Sequence, residues 1–123
     1  MLKMGLIVLG VTDMRRAVEF WTEALGFEVV VGGPDARWTE VGLAGPGGAV
    51  LAFQHSDVAP ERYPRLHLDL YADDAADQKE QIRRLVALGA SEVDWDLYPE
   101  DPDFVVLADP DGNRFCVVDV SHG

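Results

Sequence analysis

Cysteine is almost missing from this sequence: its 123 residues include only one, Cys116. A single thiol cannot close an intramolecular disulfide, and it excludes a zinc site built on several cysteines. Positive charge is scarce too, with 10 Lys and Arg against 22 Asp and Glu and a formal net charge of −12. Nucleic acid and anionic membrane surfaces need a cationic face, so neither is expected as a partner. Long apolar runs are also lacking. The opening MLKMGLIVLGV gives way to TDMRR too soon for a spanning helix or a secretory leader. These absences make a cytoplasmic protein the expectation, with the surplus acid serving solubility. What remains is an ordinary globular composition, 48% hydrophobic and 26% charged, at a length that suits one compact domain.

Periodicity divides the chain into two halves with the same order of elements. MGLIVLGV (4–11) reads as a strand, and Thr12-Asp13 as the start of a helix. Met14, Ala17, Val18, Trp21, Ala24 and Leu25 recur at helical spacing until Gly26 ends the helix. FEVVV (27–31), WTEVGL (38–43) and AVLAFQ (49–54) then read as strands, the last two joined across AGPGG. In the second half LHLDLYA (66–72) is a strand and Asp73-Asp74 caps a helix whose inner face is marked by Ala75, Gln78, Ile82, Leu85 and Val86. SEVDW (91–95), DFVVLA (103–108) and FCVVDV (115–120) complete it, the last preceded by the turn DPDGN. Leu6 stands seven residues before Asp13, as His67 stands seven before Asp74. The expectation from this repeat is an α+β protein of two βαβββ modules packed as one domain. Module 1 covers about 1–55 and module 2 about 66–121. The polar, Pro-broken SDVAPERYPR (56–65) is the linker.

The stretches VLGVTDMRRAVEFWTEALGFEV, HLDLYADD with ALGA, and DPDGNRFCVV together resemble the vicinal oxygen chelate superfamily, the glyoxalase, bleomycin-resistance and extradiol-dioxygenase group. The resemblance covers nearly the whole chain. It implies that the two βαβββ modules form one curved mixed-sheet domain around a central cleft, commonly in a homodimer. It also implies, in metal-using members, four ligands: a histidine on the first strand of each module and a glutamate or similar residue on the last.

Tested against that pattern, the first-strand positions are Leu6 and His67, and only the histidine can donate a lone pair. Aligning the turns AGPGG and DPDGN sets Ala52 opposite Cys116, with Gln54 two residues further along. Neither Ala52 nor Cys116 is a carboxylate. An imidazole, an amide and a thiol suit a hard dication poorly, so no metal cofactor is expected, and His67 is the one matching ligand position. Cys116 has three readings: nucleophile, soft-metal ligand, or small apolar residue of the cavity wall. The wall is expected, because a strand cysteine between Phe115 and Val117 is ordinarily inert. Asp69 shares a strand face with His67 by period-two alternation, so the pair could orient the imidazole or fix a polar ligand. Phe20 and Trp21 are expected in the core. Trp38, Trp95, Tyr71 and Tyr98 are pocket walls or dimer contacts.

The leading functional expectation is a metal-independent small-molecule-binding protein whose ligand meets Gln54, His67, Asp69, Cys116 and Trp38. The alternative is a lyase, isomerase or dioxygenase-type enzyme with His67 as general acid or base, Asp69 orienting it and Gln54 polarising a substrate oxygen, with or without a divalent metal.

Overall fold

A computed structural model describes residues 1–122. The chain divides into two compact units, Met1–Ala59 and the remainder from Pro60.

In the first unit, β1 (Ile7–Val11) leads into α1 (Met14–Leu25), then β2 (Glu28–Val31), β3 (Trp38–Gly42) and β4 (Ala49–His55). The helix begins where Asp13, in extended backbone, accepts a hydrogen bond from the Arg16 N–H at 3.1 Å, satisfying a donor that the first turn would leave orphaned. It stops at Gly26, whose left-handed φ of 66° lets its N–H return to the Thr22 carbonyl. Met14, Ala17, Val18, Trp21 and Ala24 form the buried stripe, joined by Phe20, and the helix packs on β2, β3 and β4. Phe53 and Val41 are fully buried and Leu51 nearly so. The sheet runs β1-β4-β3-β2, with β1 parallel to β4 and the other pairs antiparallel. The β3–β4 hairpin closes tightly enough that a Cβ on Gly42 would lie 1.8 Å from the Gly48 carbonyl oxygen, so alanine cannot replace it without moving backbone.

The second unit repeats the plan: β5 (Asp69–Ala72), α2 (Ala75–Leu88), β6 (Ser91–Glu92), β7 (Phe104–Ala108) and β8 (Arg114–Asp119), in sheet order β5-β8-β7-β6. Identical strand orders and identical parallel and antiparallel pairings establish the two βαβββ modules. Asp74 accepts from the Asp77 N–H at 2.7 Å, while the Asp77 carboxylate accepts from the Asp73 N–H at 2.9 Å. Replacing Asp74 with Ala should cost about 1 kcal/mol. Urea denaturation would read this as a lower midpoint with an unchanged slope, and an unmoved midpoint would remove the capping role.

The inner face of α2 is narrower than its sequence pattern indicates. Leu85 is buried and Gln78 and Ile82 are half-buried, but Ala75 and Val86 are exposed. The Gln78 amide does the anchoring that further apolar residues would otherwise do. Its Nε2 donates to the carbonyls of Val117 (3.0 Å) and Asp103 (3.2 Å).

Several strands are shorter than their patterns. Residues 4–6 precede β1, and β5 begins at Asp69 rather than Leu66. The SEVDW strand is cut to Ser91–Glu92. A longer β6 would pair next with Val106, but the Val106 N–H instead donates to the Tyr98 hydroxyl at 2.8 Å. Residues 93–95 are thereby released from the ladder. Among the described residues no helix is long and apolar enough to cross a membrane.

Candidate functional site

The second module carries a cavity of about 420 Å³ on one face of its sheet. Register places the side chains in rows across β5, β8 and β7. Asp69 pairs with Cys116, which pairs with Val106. One step along the same face, Tyr71 pairs with Val118, which pairs with Phe104. His67 and Arg114 each stand two residues before the Asp69–Cys116 pair, so they extend the same face at the opposite end. The cavity is polar at the His67 end and apolar at the Phe104 end. Pro64, Trp95, Leu97 and Asp103 complete its wall.

His67 Nδ1 lies 3.2 Å from Asp69 Oδ1 and 4.0 Å from Cys116 Sγ. The imidazole and carboxylate are each a little under half exposed, whereas Cys116 is 7% exposed. Burial, and then the neighbouring Asp69 carboxylate, push the thiol from an ordinary value of 9.0 up to about 12. At neutral pH Cys116 is therefore a protonated side chain that both faces the cavity and fills its wall.

Trp38 and Gln54 lie on the first module, where they are register partners across β3 and β4. Both side chains are exposed, and the Trp38 indole N–H is engaged by Glu40 at 2.9 Å. Of the five side chains singled out from sequence, His67, Asp69 and Cys116 come together in the second unit, while Trp38 and Gln54 come together in the first.

Sequence reasoning passed over several wall residues. Arg114 and Val118 share the cavity face with Cys116 by strand alternation, which was sufficient signal to find them. Pro64 of the wall falls in the segment read as linker, with Tyr63 beside it. Tyr63 packs on Trp95 at 5.5 Å between ring centroids, with its hydroxyl 2.9 Å from Asp96 Oδ1. Pro60 sits against the DPDGN turn so closely that a Cβ on Gly112 would lie 2.9 Å from the proline ring. That turn is set by Asp109, whose Oδ1 accepts from the Asp111 and Asn113 N–H groups at 3.0 and 2.8 Å, and by Gly112 at a φ of 92°. It delivers Arg114 and Cys116 to the cavity.

Paired βαβββ modules are the architecture of the vicinal oxygen chelate superfamily. The chain belongs to its glyoxalase-like domain family, whose model matches residues 6–118. Protein YetH of Bacillus subtilis is 24% identical, aligned over 94% of this chain and 96% of its own. Two solved structures share the fold. The solution structure of ATC0852 from Agrobacterium tumefaciens has a TM-score of 0.75 at 20% identity, covering 97% of this chain and 98% of that one. A glyoxalase/bleomycin resistance protein/dioxygenase family enzyme from Burkholderia phytofirmans has a TM-score of 0.73 at 14% identity, covering 97% and 99%.

Members of this superfamily commonly hold a divalent ion, and the side chains here do not fit one of that kind. Register makes Val8–Ala52 in the first module the counterpart of Asp69–Cys116 in the second, with Leu6 the counterpart of His67. The first module thus offers no donor at these positions. The His67, Asp69 and Cys116 donor atoms lie within 4.8 Å of one another. They supply one carboxylate, where a hard dication wants several oxygens. Elemental analysis of protein purified without chelator or affinity-column metal should find no stoichiometric divalent ion. One equivalent of bound metal, lost on replacing His67 with Ala, would reverse this conclusion.

Proposed function

We propose that the protein binds a small organic molecule in the second-module cavity without a metal ion. The observation that carries this reading is the cavity's division, with His67 and Arg114 at one end, Phe104 and Val118 at the other, and Asp69, Cys116 and Val106 in the row between. An apolar cleft with few convergent polar groups is the usual form of a small-molecule site, and about 420 Å³ lies within the usual range of such pockets. Val106 stands in the middle row, is 3% exposed and lines the cavity. A Val106→Trp variant would fill it. In a fragment screen read by chemical shifts, wild-type hits should shift the resonances of cavity residues, and the filled variant should lose those hits while keeping the native spectrum elsewhere. Hits that map away from the cavity, or survive the filling, would remove the proposal.

The His67–Asp69 contact supports a second reading, an enzyme. A carboxylate accepting from Nδ1–H would orient the ring and leave Nε2 as a proton acceptor, with Asp69 in a positioning role. Once a ligand that turns over is identified, His67→Ala should lower kcat by about 10²-fold or more and leave binding largely intact. Unchanged turnover would return the site to binding alone.

The reading also includes a homodimer. β2 is an edge strand whose residues are all exposed, Val29, Val30 and Val31 among them, and such strands are ordinarily covered. Sedimentation would show a dimer, and a monomer at micromolar concentration would remove this part.

A further inference from the structure

The polar end of the cavity contains a cation with no acid assigned to it. Arg114 makes no ion pair among the described residues. Its guanidinium carbon lies 5.8 Å from the centre of the Trp95 ring, and its Nη1 is sealed from solvent without a hydrogen-bond partner. Trp95 Nε1 is also buried with no partner. Two adjacent unsatisfied donors, one of them charged, are uncommon, because each has given up water for nothing in return. In a chain of net charge −12 a carboxylate partner for Arg114 would be easy to supply, yet Asp69, in the neighbouring row of the same face, is engaged by His67. Opposite, the wall turns apolar within two rows, through Val106 to Phe104 and Val118.

We infer that the ligand class is a carboxylate with an apolar body, its head received by Arg114 beside Trp95 and its body lying toward Phe104 and Val118. This rests on the binding reading above. A guanidinium offers a planar carboxylate two parallel donors, and an acceptor at this end would satisfy groups that are otherwise unmatched. A phosphate monoester suits the site less well, because its second negative charge would add to the Asp69 carboxylate in the neighbouring row.

Three probes of one shape test this: 4-phenylbutyrate, 4-phenylbutyramide and 4-phenylbutylamine. Each is titrated against the full chain while following the Trp95 indole N–H resonance, assigned with Trp95→Phe. The carboxylate should bind at least about tenfold more tightly than the amide, with the amine weakest. Arg114→Gln should bring carboxylate and amide within about twofold while still binding the amide, which also shows that the variant is folded. Arg114→Lys keeps the charge without the fork and should fall between. Equal binding of amide and carboxylate, tightest binding of the amine, or an unchanged preference in Arg114→Gln overturns the carboxylate assignment and leaves the cavity's binding role standing. Failure of all three probes to bind removes both.

Discussion

Iodoacetamide at pH 8 should alkylate Cys116 at least about thirtyfold more slowly in the folded protein than in urea. Moving the thiol from 9.0 to about 12 lowers the thiolate fraction at that pH about a thousandfold. The residual thiolate is intrinsically more nucleophilic, and a Brønsted slope near 0.45 over three pKa units returns about twentyfold to thirtyfold of that loss. What is left is about thirtyfold to fiftyfold, before counting the restricted approach to a side chain only 7% exposed. Burial is the larger cause of the raised value and the Asp69 charge the next. Asp69→Asn should therefore quicken alkylation severalfold without matching the denatured rate. Folded and denatured protein reacting alike would overturn the assignment of Cys116 to the wall.

The same shift fixes the sign of a pH dependence. A thiol whose folded pKa stands above its unfolded value binds its proton more tightly in the native state. Its contribution to stability is complete below about pH 9 and is lost progressively as pH rises toward about 12. Cys116→Ala removes that contribution, so its stability should decline less steeply than wild type over this alkaline window in urea titrations at fixed pH.

Local chemistry was the readable part of this fold. Asp13, Asp74 and Gly26 mark helix ends because capping depends on a short carboxylate or a missing Cβ, and both are visible in one residue. The duplication was equally legible, since matched intervals from strand to cap survive in the sequence. Strand lengths were not, because a strand ends where its partner's donors are taken elsewhere. SEVDW has the composition of a strand throughout, yet Tyr98, further along the chain, takes the Val106 N–H and ends the ladder. The candidate site divides in the same way. His67, Asp69 and Cys116 could be brought together by period-two alternation. Pro64, in the wall, and Tyr63, packed behind the wall residue Trp95, could not, because a proline-broken polar segment carries no sign that it will fold back on the cavity. Arg114 was readable by parity, but a search for metal donors passes over a cation.

Three tryptophans in three environments give the sharpest test of which residues hold the first module together and which serve the cavity of the second. Trp21 is 1% exposed on the inner stripe of α1 and meets Phe20 edge-on at 5.0 Å and 90°. Trp21→Ala removes the largest buried side chain of its module and leaves a void that the close-packed strands beneath cannot fill, at a cost of about 3–5 kcal/mol. Against a typical domain stability of about 5–15 kcal/mol, that brings the first unit close to unfolding at ambient temperature. Trp38, 37% exposed on β3, buries far less, and Trp38→Ala should cost about 1 kcal/mol or less. Trp95→Phe keeps an aromatic ring in the cavity wall and deletes an indole N–H that has no partner, so in the ligand-free protein it should be neutral or slightly stabilising. Urea denaturation followed by far-UV circular dichroism gives the ranking without depending on tryptophan emission. Amide hydrogen exchange should further show the Trp21→Ala loss concentrated in residues 1–59, the compact unit that contains α1. Equal costs for Trp21→Ala and Trp38→Ala would contradict the placement of α1. A large loss for Trp95→Phe would mean that its indole N–H has a partner in the free protein, and would weaken the case for a ligand acceptor there.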